Sequence, residues 1–335
     1  MIDPARGRGL DALPAGAWTT IRTANLGGLT LFLTGATGFV GRWLLAAVER
    51  LNAGMERPLR VRALTRGDGP FEAPWLTWIQ GDVRQFADDA HADLILHAAL
   101  PSTATPAGGD AALRDTAVRG AEAVVRHAQA VGAARSVVLS SGSVYGSNYG
   151  PVTESSPLTE LGVDDTYGAA KREVEAVAKA SAAGNHDVVV ARLFTCIGVG
   201  YRAHGHLAHV SMLDDARAGR PIIIRSDGSA VRSYLFGADL AVWLLTLLAG
   251  SGNDTVNVGS DQPIALVDFA HAVARAAGRN PESVSVRATD PIVRPYFVPD
   301  ISHARNRYGV SAWTGLDAAI ALTLEAAAST AAGAR

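Results

Sequence analysis

The chain has 335 residues, 48% hydrophobic and 19% charged, with a formal net charge of −2. That balance excludes a disordered chain, which needs low hydrophobicity and high net charge, and leaves no basic field to hold nucleic acid. The single cysteine, Cys196, excludes an intrachain disulfide and a cysteine-rich zinc site, and no apolar run reaches the ~18 residues of a transmembrane helix. The N-terminus lacks the apolar core of a secretory signal, so a cytoplasmic protein without membrane partners is expected.

Residues 1–28, rich in Gly, Pro, Ala and Arg, read as an N-terminal arm, loose apart from one short helix. Leu29 to Thr34 is a short apolar strand. A glycine turn follows at Gly35-Ala-Thr-Gly-Phe-Val-Gly41, and Arg42 to Leu51 reads as a helix. Strand, glycine turn, helix opens a doubly wound fold. Further strands are predicted at Leu59 to Thr65, Leu76 to Gln80, Leu94 to His97, Val137 to Ser141 and Asp187 to Leu193. Helices are predicted at 111–131 and at Tyr167 to Ala183. Short apolar strands alternating with helices predict an α/β, Rossmann-type parallel sheet covered on both faces.

After Gly198 the rhythm changes. Helical segments are expected near 240–249, 266–278 and 315–330, among loops with several prolines. The expected division is a dinucleotide-binding Rossmann domain over 29–198 and a smaller C-terminal substrate-binding lobe over 199–330, with some segments returning to the first domain.

The glycines give the first site. Gly35 permits a tight turn, Gly38 lets backbone approach a pyrophosphate, and Gly41 allows the helix to pack closely on the strand. An acidic residue at the end of the second strand would bind the ribose 2′-hydroxyl of NAD. Here Thr65-Arg66 stands instead. A guanidinium matches a 2′-phosphate, so NADP is expected, with NAD as the alternative. Asp82, after the third strand, is placed to accept from the adenine amino group.

Tyr167-Gly-Ala-Ala-Lys171 puts a phenol and an ammonium at i and i+4, on one helix face. A nearby ammonium stabilises phenolate and brings tyrosine towards working pH. Ser140-Ser141-Gly-Ser-Val-Tyr-Gly146 delivers hydroxyls from the preceding strand.

With these pieces the chain resembles the extended short-chain dehydrogenase/reductase superfamily, and within it the NAD-dependent epimerase/dehydratase family of nucleotide-sugar enzymes. The matching segments run in family order over roughly residues 29–310. They are Thr34 to Gly41, Gly81-Asp82-Val83, His97-Ala98-Ala99, Ser140 to Gly146, Tyr167 to Lys171, Arg192 to Gly198 and Arg232 to Asp239. The resemblance implies that Tyr167 is the general acid/base and that Lys171 tunes it and binds the nicotinamide ribose. Ser141 would hydrogen-bond the reacting oxygen, with Ser143 as the other candidate. Gly35, Thr37, Gly38, Phe39, Val40, Gly41, Val83, Ala98 and Ala99 would line the dinucleotide beside Arg66 and Asp82. Thr195 and Ser143 would face the sugar, and Arg232 and Arg294 would bind its diphosphate. A homodimer through the helices at 111–131 and 165–183 is the family's habit.

The departures narrow the chemistry. Dehydratases of this group usually carry Asp-Glu after the strand-five hydroxyl, where this chain has Gly142-Ser143. The family often has Asn where Thr195 and Ala117 stand. The expected function is therefore hydride transfer at sugar C4, first as a 4-ketoreductase and next as a 4-epimerase. A non-catalytic dinucleotide sensor on the same fold is the alternative of another class. His204, His206 and His209 read as loop histidines and no metal is expected; His97 reads as structural and Cys196 as a small buried hydrophobe.

Overall fold

Thr30-Leu-Phe-Leu-Thr34 is buried at every position because helices cover both faces of its sheet. The computed structural model describes residues 4–99, 109–162, 165–182, 184, 186–201, 207–288 and 295–332. In chain order the elements begin with α1 (Pro4–Asp11), α2 (Ala15–Thr19), β1 (Thr30–Thr34), α3 (Phe39–Asn52), β2 (Arg60–Thr65), β3 (Leu76–Gln80) and β4 (Leu94–His97). Next come α4 (Gly109–Val131), β5 (Arg135–Ser141), α5 (Thr166–Ala180), β6 (Asp187–Leu193) and β7 (Cys196–Ile197). The remainder comprises α6 (Ala208–Arg217), β8 (Ile223–Ile224), β9 (Val231–Arg232), β10 (Leu235–Phe236), α7 (Gly237–Leu248), β11 (Asp254–Val258), β12 (Ile264–Ala265), α8 (Leu266–Ala276), β13 (Ser285–Val286), β14 (Tyr296–Phe297), α9 (Ser302–Tyr308) and α10 (Leu316–Ala332).

Seven strands form one parallel sheet in the order β11-β6-β5-β4-β1-β2-β3. The order reverses between β1 and β4, and in such sheets ligands bind beyond the strand ends at the reversal. Period-two alternation sorts the side chains. Leu31, Leu33, Val137, Leu139, Val189 and Ala191 join the large core shared with α3 and α7. Val138, Val188 and Val190 face α4 and α5 on the other side, and Phe32 packs there against His127.

The C-terminal region combines small sheets with elements that return to the main one. β7 pairs with β10, β9 lies between β12 and β14, and β8 pairs with β13, away from the main sheet. α7 and β11 rejoin that sheet: β11 is its edge strand and α7 packs on α3 and β5. All twelve residues of α7 are buried, which accounts for the apolar run from Leu240. No helix among the described residues is long and apolar enough to cross a membrane.

Two expectations fail. Residues 4–28 of the expected 1–28 arm are not loose: α1 packs on α3, α7 and α10, and Leu10, Leu13, Ala17, Ile21 and Leu26 enter the main core. The apolar spacing within a Gly- and Ala-rich composition concealed that amphipathic face. His209 is not in a loop either. It lies in α6, buried, with Nε2 bonded to the Cys196 carbonyl at 3.1 Å. Trp43 is the hub beneath the N-terminal helices, fully buried and T-stacked on Phe236. Truncating it to alanine would cost about 3–5 kcal/mol.

Candidate active site

Gly35 leaves β1 with φ of 73°, a left-handed conformation that glycine adopts without strain. A Cβ there would come within 2.5 Å of the Ala98 carbonyl and 2.7 Å of the Ala99 nitrogen. The β1 and β4 chain ends are that close. At Gly41 a Cβ would lie 2.4 Å from the Gly35 carbonyl, so only glycine lets α3 press onto the turn. Gly38 differs. It is the N-cap of α3, exposed, and a Cβ there meets only the Gly35 carbonyl at 3.3 Å. No side chain caps α3 and no acid stands in its first turn, which holds Phe39 and Val40. The bare N–H groups and the space above Gly38 fit a pyrophosphate.

Thr34 locks the floor of this crevice. Its Oγ1 accepts from the Ala98 and Ala99 N–H groups at 3.2 and 3.1 Å and lies 2.8 Å from His97 Nδ1. With both lone pairs used, the hydroxyl proton points to Nδ1, leaving a neutral imidazole protonated at Nε2. Burial, and then the Lys171 charge, push the His97 pKa down to about 3, in keeping with a structural role. Arg42, passed over in the sequence, folds back so that Nε donates to the Thr37 carbonyl at 2.9 Å. It places a cation beside the glycine turn.

Just beyond β2, Arg66 is exposed and close enough to Asp82 to help lower its pKa. The larger cause is Arg84, which grips Asp82 through Nε and Nη2 at 2.9 and 3.0 Å and reaches Asp115 at 3.0 Å. Asp82 is thus tied to a neighbouring cation, an engagement the sequence did not reveal. Val83 is buried beside Gly120.

The candidate catalytic residues assemble where α5 docks on the end of β5. Asp165 caps α5 by accepting from Gly168 N at 3.0 Å, and a Cβ on Gly168 would lie 3.0 Å from the Ser143 carbonyl. This fixes Tyr167, half-buried in the first turn, with its ring packed against the Leu113 and Ala117 cluster. Lys171 Nζ sits 6.0 Å from the Tyr167 ring centre and donates to the Leu139 carbonyl at 2.6 Å. Burial pushes the Lys171 ammonium down to about 7, against the opposing charge of Glu175. Ser141 Oγ accepts from Ser143 N at 3.1 Å and lies 3.2 Å from Ser143 Oγ, so the two candidate hydroxyls form one unit. Ser140 points away, into Glu175.

On the lobe side Thr195 is half-buried and its carbonyl accepts from Leu235 N at 3.0 Å. Arg232 is half-buried on β9, with its charge felt by His209 and Tyr234. Arg294 lies outside the described residues, as do His204 and His206. Sequence reasoning missed the Phe39–Tyr201 stack, 3.9 Å between ring centres, because those residues are 162 positions apart in the chain. It also missed Glu175, although its place four residues beyond Lys171 was a readable sign.

A parallel sheet with a bare-capped glycine turn at its reversal, and a Tyr/Lys pair facing a serine strand end, defines a dinucleotide-dependent enzyme of the extended short-chain dehydrogenase type. Residues 31–259 match the NAD dependent epimerase/dehydratase family, and the chain belongs to it. It is 24% identical to the low-salt glycan biosynthesis protein Agl12 of Haloferax volcanii over 295 residues, which are 85% of this chain and 90% of that protein. A dTDP-4-dehydro-6-deoxy-D-allose reductase of a Streptomyces species is 34% identical over 92 residues, 28% of each chain. Among solved structures, MoeE5 in complex with UDP-glucuronic acid and NAD superposes with a TM-score of 0.77 at 24% identity, over 90% of this chain and 99% of that one. The UDP-glucose 4-epimerase of Thermotoga maritima, solved with UDP-glucose, gives 0.78 at 17% identity, over 90% of this chain and all of that one.

Proposed function

We propose that this protein is an NADPH-dependent 4-ketoreductase acting on a nucleotide-diphosphate sugar of the 4-keto-6-deoxy class. The observation that carries this reading is the Ser141–Ser143 unit at the end of β5. Removing water from a sugar needs a further acid and base. The strand end from Ser141 to Tyr145 carries hydroxyls and no carboxylate. What remains is a phenol, an ammonium and hydroxyls, a set suited to adding a hydride and a proton across a carbonyl.

When bound, the dinucleotide supplies the hydride. Tyr167 donates its hydroxyl proton to the carbonyl oxygen, and Lys171 stabilises the phenolate that results. Ser141, steadied by Ser143, hydrogen-bonds the same oxygen. Arg232, with Arg294, holds the diphosphate by charge-assisted bonds, and Thr195 faces the sugar. Arg66 and Arg42 supply cations for a 2′-phosphate. The similarity to the Streptomyces reductase supports this assignment. A 4-epimerase that recycles NAD is the second reading, favoured by relatives solved with NAD and UDP-sugars. We further infer a cytoplasmic homodimer built through α4 and α5.

The test is the cofactor. Purified protein is denatured and the released dinucleotide identified by mass spectrometry; empty protein is then melted with NADPH or NADH. Empty protein stabilised by NADPH alone, with the preference moved to NADH by Thr65→Asp with Arg66→Asn, is expected. NAD released near one per chain would overturn the reductase reading and favour the epimerase.

A further inference from the structure

The Val199 carbonyl lies under two donors, one from α1 and one from α3. Trp43 Nε1, on the helix that follows the glycine turn, donates to it at 3.2 Å, and Arg6 Nη2, on α1, reaches it at 3.4 Å. Arg6 is 3% exposed and its guanidinium lies over the Trp43 ring, 5.9 Å from the centre. The turn is shaped for this contact. A Cβ on Gly200 would lie 2.0 Å from Arg6 Nη2, and one on Gly198 would lie 3.1 Å from the Trp43 ring. α1 itself can approach because residue 9 is glycine: a Cβ there would sit 2.8 Å from Trp43.

The next residue in the turn is Tyr201. Its ring stacks on Phe39 at 3.9 Å between centres and 22° between planes. It meets His209 edge-on at 5.7 Å; burial above all disfavours its ionisation, and the nearby Cys196 and Tyr167 add to this. The Phe39–Tyr201 pair therefore forms a wall joining the glycine turn to the acid/base. α1 precedes the segment that matches the family, which begins at residue 31.

We propose that α1 is part of the active site, with Arg6 as a positioning residue that holds the Gly198–Tyr201 turn so that Tyr201 stacks on Phe39 beside Tyr167. The inference rests on the reading that this cleft binds a nicotinamide dinucleotide. Its physical basis is that a buried guanidinium on a carbonyl is a charge-assisted bond with little freedom, so the turn is fixed before cofactor arrives.

The experiment compares full-length wild type with Arg6→Gln, Arg6→Lys, Tyr201→Leu and Arg6→Gln with Tyr201→Leu. NADPH affinity is read from its own fluorescence, alongside circular dichroism, thermal melting and turnover of a 4-keto sugar nucleotide. Arg6→Gln should weaken NADPH binding about tenfold while the fold persists, with Arg6→Lys recovering most of the loss because an ammonium still donates to Val199. Tyr201→Leu should reproduce the loss, and the double variant should be no worse than the poorer single one, since both act through one wall. Should Arg6→Gln misfold, Arg6→Lys and Tyr201→Leu carry the test. Full NADPH affinity in Arg6→Gln or Tyr201→Leu, or additive losses, overturns the inference. Wild type that binds neither NADPH nor NADH overturns the reading beneath it instead.

Discussion

Glu175 accepts from Arg192 Nε and Nη2 at 2.8 Å each, one helical turn beyond Lys171 on α5. Both side chains are 5% exposed, and Ser140 Oγ donates to the same carboxylate at 2.7 Å. Burial works to raise the Glu175 pKa, but the Arg192 bonds outweigh it and keep the carboxylate charged. That charge supports the Lys171 ammonium. Glu175→Gln strands Arg192 in the core and should cost about 3–5 kcal/mol, read as a lower urea midpoint. Combining Glu175→Gln with Arg192→Met removes the stranded charge and should restore part of the loss. Glu175→Gln with stability within about 1 kcal/mol of wild type, the range of a surface pair, would show that the network is not structural.

The Tyr167–Lys171 pair sets the pH dependence of the proposed reduction. Tyr167→Phe removes only the hydroxyl, so kcat should fall roughly 10²- to 10⁴-fold with NADPH affinity preserved. Burial brings Lys171 to about 7, so its ammonium is lost as pH rises through that value. Reductive kcat/KM should therefore decline above about pH 7. Lys171→Arg keeps a charge throughout and should move the alkaline limb upward, whatever its maximal rate. An alkaline limb that stays in place in Lys171→Arg belongs to another group.

Strand-and-helix rhythm made most of the sheet readable, because most of its strands are short and apolar and β1, β4 and β5 lead on to the helices α3, α4 and α5. β11 escaped notice: Asp254-Thr-Val-Asn-Val258 mixes polar residues with two valines, and its place at the edge beside β6 is a tertiary choice. One short helix was expected where α1 and α2 both stand, because Gly and Ala carry weak periodicity, and Trp43 and Phe236 supply the surface that receives α1. Tyr167, Lys171 and Ser141 were legible since spacing fixes them on one helix face and one strand end. The Arg6–Val199, Phe39–Tyr201 and Arg84–Asp82 contacts depend on packing, and no local pattern encodes the first two.

Three further buried titratable groups contribute to the acid side of the stability curve. Burial lowers His97 to about 3 and His209 to about 4, from 6.5. The unfolded chain then binds more protons, so both make stability rise with pH up to about 6.5. Asp239 acts oppositely. Burial raises its carboxyl from 3.8 to about 7, so the folded state binds the extra proton and this contribution fades as pH rises from 3.8 to 7. Its Oδ2 accepts from Thr314 N at 3.3 Å, while Oδ1 has no partner among the described residues, which suits a neutral acid. Asp239→Asn keeps the shape without the titration. Its melting temperature relative to wild type should climb steadily between pH 4.5 and 7.5; parallel curves would remove Asp239 as the source.

Gly38 and Gly41 lie three residues apart and should fail in different ways when changed to alanine. At Gly41 the new methyl would meet Ala36 Cα and the Gly35 carbonyl at 2.4 Å, both backbone atoms that cannot turn aside. Gly41→Ala must push α3 off the turn, so its melting temperature and its dinucleotide binding should fall together. At Gly38 the methyl has only the Gly35 carbonyl at 3.3 Å, and the backbone there, φ −79° and ψ −177°, suits any residue. Gly38→Ala should melt close to wild type. Its methyl instead stands in the space proposed for the pyrophosphate, so NADPH affinity should drop at least tenfold, a difference of about 1.4 kcal/mol in binding. The two variants thus separate packing from recognition. A Gly38→Ala protein that melts normally and binds NADPH as tightly as wild type would place the diphosphate elsewhere than over this turn.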